Sequence, residues 1–116
     1  MSTLLIILQV VLALHTLMGA VWKFTNTIDA VPTLRALGNP VWRVLGVVEV
    51  AFVLMLTLPL FIDGLGRLPV FGALGIALEM GVFGVVHLKS GSLERGPLIY
   101  WSVVAALSVF IAVMLF

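Results

Sequence analysis

The sequence predicts an all-α integral membrane protein, folded as an antiparallel four-helix bundle. Of its 116 residues, 63% are hydrophobic and only 9% are charged, whereas soluble domains carry about 25% charged residues. The hydrophobic residues fall into four runs, and each run has the length of about 20 residues that a helix needs to cross a bilayer. We therefore expect residues 1–116 to form one domain with almost no part in water.

The four predicted helices cover about residues 4–22, 41–62, 68–88 and 98–116. Pro40, Pro69 and Pro97 stand at or beside three of the starts, where a helix loses no internal hydrogen bond to proline. Asn39 is the expected N-cap of the second helix. The first run has no basic segment before it and no small-residue cleavage site after it, which favours a membrane helix over a signal peptide.

The loops between these helices differ in length. Residues 63–67 are so few that the second and third helices must be antiparallel neighbours, and residues 89–96 form a short polar loop. The longest loop, residues 23–40, carries an apolar residue at every third position from Ile28 to Leu37. This spacing suggests a short amphipathic helix on the membrane surface, and an irregular loop with scattered apolar residues fits it equally well.

Basic residues predict the orientation in the membrane, because lysine and arginine are enriched in cytoplasmic loops. Arg67 is alone on its side, and five basic residues flank the other two loops: Lys23, Arg35, Arg43, Lys89 and Arg95. We therefore expect loops 23–40 and 89–96 to be cytoplasmic and both termini to lie outside, in a prokaryotic cytoplasmic membrane. Four aromatic residues fall at the same interface, as an aromatic belt would: Trp22, Trp42, Tyr100 and Trp101.

Three ionisable residues lie deep within the predicted helices, namely His15, Glu49 and Glu79. An ionised side chain at the bilayer centre costs about 2.5–3.5 kcal/mol or more, so each needs a partner or a function. Counted along the helices at ~1.5 Å per residue, all three lie about 12–15 Å below the cytoplasmic interface. We predict a polar floor that binds a ligand or relays protons, with three residues at the mouth above it: Lys23, Arg43 and His87.

Structural roles are the alternative for each of these side chains. Glu49 and Glu79 would then be neutral, each hydrogen-bonded to a neighbour that holds the bundle together. His15 would be a satisfied packing residue, and Lys23 and Arg43 would be anchors at the membrane interface.

Several kinds of chemistry are excluded by what the sequence lacks. Without cysteine there is no disulfide, thiolate metal site or iron–sulfur cluster. A net charge of +1 is too small for the basic surface that binds nucleic acid. No phosphate-binding loop, nucleophile elbow or HExxH zinc motif is present. One histidine and two carboxylates on three helices are a weak signal for a metal, so no metal site and no catalytic residue are predicted.

Three segments resemble the DoxX-like membrane proteins: residues 19–24 (GAVWKF), residues 37–49 (LGNPVWRVLGVVE) and the end of the third helix at residues 87–91 (HLKSG). The most specific feature is a glycine, Gly46, three residues before the intramembrane Glu49. The resemblance covers essentially the whole chain and implies a four-helix bundle, with Lys23, Gly46 and Glu49 as the matching positions. Its functional implication is limited: some members are subunits of quinone-linked oxidoreductases, other relatives look like assembly factors, and many have no assigned activity.

Together these features predict a membrane protein that binds a lipophilic small molecule, with a quinone as the first candidate. Histidine and carboxylate groups at one depth would supply hydrogen bonds and protons to its carbonyl groups. No electron carrier is evident in the sequence, so we expect an accessory subunit and not a complete enzyme. Two alternatives remain: a non-catalytic partner that assembles other membrane proteins through the glycines of the third helix, and a proton-coupled transporter working as a homodimer.

The predicted orientation can be tested with reporter fusions. A reporter that is active only in the cytoplasm should work when inserted near Arg35 or Ser92 and should fail when fused after Phe116. The opposite pattern of activity would overturn the orientation argued from the basic residues.

Overall fold

The computed structural model describes residues 3–116, which form four α-helices and no strand. These are α1 (Thr3–Thr25), α2 (Gly38–Thr57), α3 (Leu68–Lys89) and α4 (Gly96–Leu115). All four helical segments are long and apolar enough to cross a membrane. The predicted fold class is therefore confirmed: the chain is an all-α, multi-pass membrane protein.

The helices form a ring in chain order. Each packs against the next one in sequence, and α4 closes the ring by returning to α1. Short connections make consecutive helices antiparallel, and the predicted contact between α2 and α3 is confirmed. The pair α1–α4 packs least closely of the four neighbouring pairs. We call this contact the α1–α4 seam.

The outer surface of the bundle is apolar, as a lipid-facing surface must be. Met18 is 72% exposed and Leu78 is 71% exposed, and both lie in the middle of membrane-spanning helices. The interior is filled by aliphatic side chains that are almost completely buried, among them Leu12, Leu56 and Ile76. The charged residues that the bundle encloses therefore stand out against an apolar background.

The second helix differs from its prediction at both ends. It ends at Thr57 and not near residue 62, because Pro59 has no backbone N–H and a 3₁₀ turn (Leu58–Leu60) takes its place. It begins at Gly38, and the prediction of Asn39 as its N-cap is wrong. The Asn39 side chain instead accepts a hydrogen bond from the backbone N–H of Ile28, at 2.9 Å, and so ties down the first loop.

The first loop forms two 3₁₀ turns, Ile28–Ala30 and Pro32–Leu37, in place of the amphipathic surface helix that the spacing suggested. Its apolar residues turn toward the bundle, since Ile28 is 4% exposed and Leu34 only 1%. The loop therefore covers one end of the bundle.

A buried glutamine that the sequence analysis did not single out links α1 to the other end of α2. Gln9 is fully buried, and its Nε2 donates a hydrogen bond of 2.5 Å to the carbonyl oxygen of Leu56. Leu56 is one of the last four residues of α2, whose carbonyls have no partner within the helix. Gln9 satisfies one of them.

Glycines in α3 allow the close contact with α2. A Cβ on Gly72 would lie 3.0 Å from the Cβ of Met55 and 3.2 Å from the backbone oxygen of Phe52, and a Cβ on Gly75 would overlap the Phe52 ring. A Cβ on Gly81 would meet nothing within 4 Å. Gly72 and Gly75 are therefore used for packing inside the chain, whereas Gly81 faces outward.

This difference between glycines gives a matched pair of variants. Gly72→Leu should separate α2 from α3 and destabilise the bundle by about 1–3 kcal/mol, the usual cost of overpacking. Gly81→Leu, the same change on the same helix, should have little effect. Thermal unfolding of both variants in detergent measures the difference, and equal melting temperatures would contradict the described packing of α3.

Candidate functional site

A buried ion pair joins α1 to α2. The Nζ atom of Lys23 lies 2.5 Å from Oε1 of Glu49, and the two side chains are only 7% and 2% exposed. Removing two charges from water costs several kcal/mol per ion, and only close pairing with good geometry offsets that cost. This pair is therefore the most demanding electrostatic feature among the described residues.

One glycine on each helix makes room for the charged residue of the other. A Cβ on Gly19 of α1 would lie 3.2 Å from Oε2 of Glu49. A Cβ on Gly46 of α2 would lie 3.4 Å from the Cβ of Lys23 and 3.1 Å from the Phe24 ring. The two helices can approach closely enough to form the ion pair because neither position carries a side chain.

A second carboxyl group adjoins this pair. Glu79 on α3 is 6% exposed, and its carboxyl group interacts with that of Glu49 and with the charge of Lys23. Two buried carboxyls thus face one lysine, and this cluster of three is electrically neutral only when one of the carboxyls carries a proton.

Aromatic rings surround the ammonium group of Lys23. Its Nζ lies 4.9 Å from the centre of the Trp42 ring and 5.2 Å from that of Phe83, within the range of cation–π attraction. These contacts stabilise the positive charge from sides that Glu49 does not occupy.

The ion pair lies in the wall of a cavity of about 100 Å³. Five polar side chains contribute to its lining: His15, Thr16, Lys23, Glu49 and Tyr100. Four apolar aromatic side chains also line it: Trp22, Trp42, Phe83 and Trp101. Val31 and Leu34, from the first loop, close it at one end of the bundle. All three tryptophans of the sequence therefore lie in the wall of one cavity.

A hydrogen bond crosses the α1–α4 seam beside this cavity. It joins the hydroxyl group of Tyr100 to Nε2 of His15, and the two rings are 5.4 Å apart between centres. Tyr100 is 49% exposed, so the bond lies between the cavity and the lipid-facing surface.

The structure brings together four of the six residues that the sequence analysis selected. His15, Lys23 and Glu49 line the cavity. Glu79 does not line the cavity, but its carboxyl group interacts with that of Glu49. Lys23 belongs to the floor and not to the mouth: α1 continues as a helix to Thr25, and the lysine side chain is buried beside Glu49.

The other two predicted mouth residues lie elsewhere. Arg43 is exposed and does not line the cavity. His87 is fully buried, and both of its ring nitrogens are occupied: Nδ1 is 2.7 Å from the Thr33 hydroxyl and Nε2 is 2.9 Å from the carbonyl oxygen of Glu94. The placement of His87 at an open mouth is therefore wrong, because it ties two loops to α3 instead.

Sequence reasoning missed several residues of the cavity. Tyr100, Trp42 and Trp101 were assigned to an interfacial belt, but Trp42 is 1% exposed and its Nε1 donates a hydrogen bond to the carbonyl oxygen of Asn26. For Trp42 the available signal was its position two turns before Glu49 on the same helix, whereas α4 carries no charged residue that would have marked Tyr100 or Trp101. Among residues 3–116, no three histidine, aspartate or glutamate side chains group closely enough to hold a metal ion.

Comparison with known proteins identifies the family. The sequence profile described as the DoxX-like family matches residues 7–114, nearly the whole chain. The chain belongs to the DoxX-like family. No curated protein and no solved structure matches it. In this DoxX-like protein, the three positions on which the resemblance depended, Lys23, Gly46 and Glu49, meet at the ion pair.

The energetic role of the ion pair can be measured with a double-mutant cycle. Lys23→Met and Glu49→Gln should each destabilise the bundle, by up to about 3–5 kcal/mol, because each leaves a buried group without its partner. The double variant Lys23→Met/Glu49→Gln should cost much less than the sum of the two. Free energies of unfolding in detergent provide the measurement.

A control for this cycle is the exposed pair of Arg35 and Asp29, whose side chains are 64% and 65% exposed. Arg35→Gln should cost no more than about 1 kcal/mol. Additive effects of Lys23→Met and Glu49→Gln would show that the two residues do not act as a pair.

Proposed function

We propose that this DoxX-like protein binds the ring of a lipophilic carbonyl compound, with a quinone as the best-fitting class, in the cavity beside Lys23. It would serve as an accessory subunit of a membrane oxidoreductase system. The observation that carries the proposal is a lysine ammonium held in the wall of an aromatic-lined cavity, within helices that cross the membrane.

The lining matches the chemistry of a quinone. An ammonium group has three N–H donors, and Glu49 uses one side of it, so a ring carbonyl in the cavity can accept a hydrogen bond from another. The Tyr100 hydroxyl and the His15 ring also line the cavity, but they are hydrogen-bonded to each other, so Lys23 is the donor available to the ligand. Tryptophan and phenylalanine rings offer flat apolar surfaces against which a planar ring can pack.

The carboxyl pair adds a supply of protons. Glu49 lines the cavity and Glu79 adjoins Glu49, and the neutral cluster of Lys23, Glu49 and Glu79 holds one proton. Reduction of a quinone to a quinol takes two electrons and two protons, so the cluster would deliver one proton and be reprotonated from water before it delivered the second. Both electrons would come from the redox centre of a partner oxidoreductase.

A second candidate function, as an assembly partner of other membrane proteins, is supported by the outer face of α3. There Gly81 has open space at its missing Cβ, and small residues favour close helix contact within membranes. Gly72 and Gly75 already pack against α2, so such a partner would have to contact the part of α3 around Gly81.

The proposed function predicts a specific optical signal. All three tryptophans line the cavity, so decylubiquinone bound there should quench the intrinsic fluorescence of the protein in nanodiscs saturably. Loss of the charge-assisted hydrogen bond in Lys23→Met/Glu49→Gln, a neutral variant expected to fold, should weaken binding by roughly tenfold or more.

Arg43→Gln is the matched control, because Arg43 is exposed and lies outside the cavity. It removes a positive charge from the same helix but should leave the quenching curve unchanged. Quenching that only follows the amount of quinone dissolved in the lipid, without saturation, would contradict the proposal. So would equal affinity in the wild type and the double variant.

A further inference from the structure

The volume of the cavity limits what it can enclose. At about 100 Å³ it is well below the roughly 300–1,000 Å³ of typical small-molecule sites. A ring can occupy such a space, but a ring with a long hydrocarbon chain cannot be contained in it. Any such ligand must leave its chain outside the cavity, and the structure restricts where that chain can pass.

The end of the bundle under the first loop is closed. Leu34 covers the cavity there and is 1% exposed, and the buried Trp42 ring is fixed by its hydrogen bond to Asn26. The Thr33 hydroxyl bonds to His87 on α3, which holds the same loop down. A ligand that arrived from water would have to displace all of these contacts.

A ligand would break fewer contacts if it entered through the α1–α4 seam. This pair of helices packs least closely among neighbours, and His15 and Tyr100, which face each other across it, both line the cavity. Their side chains are partly exposed at the lipid-facing surface. By contrast, α1 and α2 are held by the ion pair, and α2 and α3 by the contacts at Gly72 and Gly75.

We propose that the ligand is a tailed molecule dissolved in the bilayer, and that it enters sideways between α1 and α4. Its ring would occupy the cavity while its apolar chain stays in the seam and the lipid. The hydrogen bond between His15 and Tyr100 spans this entrance and must break to let the ligand pass. This inference rests on the proposed binding function. It specifies in addition that the ligand has an apolar chain, that it enters through the α1–α4 seam, and that Tyr100 controls its entry.

The first test removes only the Tyr100 hydroxyl group. Tyr100→Phe keeps the ring but loses the hydrogen bond. If entry requires that bond to break, tailed quinone should quench tryptophan fluorescence roughly three- to tenfold faster, because the barrier to entry falls by the free energy of one net hydrogen bond. Stopped-flow mixing of nanodiscs with decylubiquinone measures this rate. Phe110→Leu is the control, because Phe110 is on the same helix, 49% exposed, and outside the cavity. An unchanged rate in Tyr100→Phe would count against the seam as the entrance.

The second test locks the seam reversibly. The chain has no cysteine, so His15→Cys/Tyr100→Cys can be bridged selectively with a reducible bis-methanethiosulfonate reagent. The bridged protein should show at least a tenfold slower approach to saturation with decylubiquinone, and reduction of the bridge should restore the fast rate. Phe52→Cys/Gly75→Cys, which bridges α2 and α3 away from this cavity, should bind equally fast before and after reduction.

The outcomes separate the two proposals. If the wild type shows no saturable quenching, the proposed function fails. If it shows saturable quenching, but bridging His15→Cys/Tyr100→Cys leaves the rate unchanged, only the seam inference fails. A reduced protein that no longer binds quinone would also count against the inference, because the two residues would then hold the ligand and not merely close its entrance.

Discussion

The ion pair between Lys23 and Glu49 is the constraint on which the rest of this structure depends. Two charges inside a membrane-spanning bundle persist only if they meet closely, and the glycines at positions 19 and 46 allow α1 and α2 to approach that closely. The rings of Trp42 and Phe83 complete the surroundings of the ammonium group. The cavity lies against this arrangement, and its wall includes both charged side chains and both of these rings.

A single lysine facing two carboxyls also gives the cluster a chemical property that a simple ion pair lacks. A carbonyl oxygen placed beside Lys23 would share its ammonium group with Glu49 and so alter the electrostatic balance between Glu49 and Glu79. Under the proposed function, ligand binding and the position of a proton in this cluster would be coupled through Lys23. This holds for a quinone and equally for another hydrogen-bond acceptor of similar size.

The sequence predicted the bundle well, because four long apolar runs leave few other solutions in a membrane. Of the residues it selected, His15 and Glu49 line one cavity and Glu79 interacts with Glu49, while their common depth and their function stay predictions. It assigned Lys23 and His87 to an open mouth, since counting residues locates a Cα and gives neither the reach of a long side chain nor the fold of the loops that cover it. Tyr100 was missed as a cavity residue because its role depends on the contact between the first and last helices, which are far apart in sequence.

The buried His87 fixes the arrangement of both loops at its end of the bundle. The carbonyl of Glu94 can only accept a hydrogen bond, so Nε2 of His87 must carry a proton, and in the neutral ring Nδ1 accepts from the Thr33 hydroxyl. One tautomer of one imidazole therefore connects the first and third loops through the end of α3. The two loops are thus joined through one side chain, and separating either loop from α3 at this end of the bundle would leave a buried imidazole nitrogen without its partner.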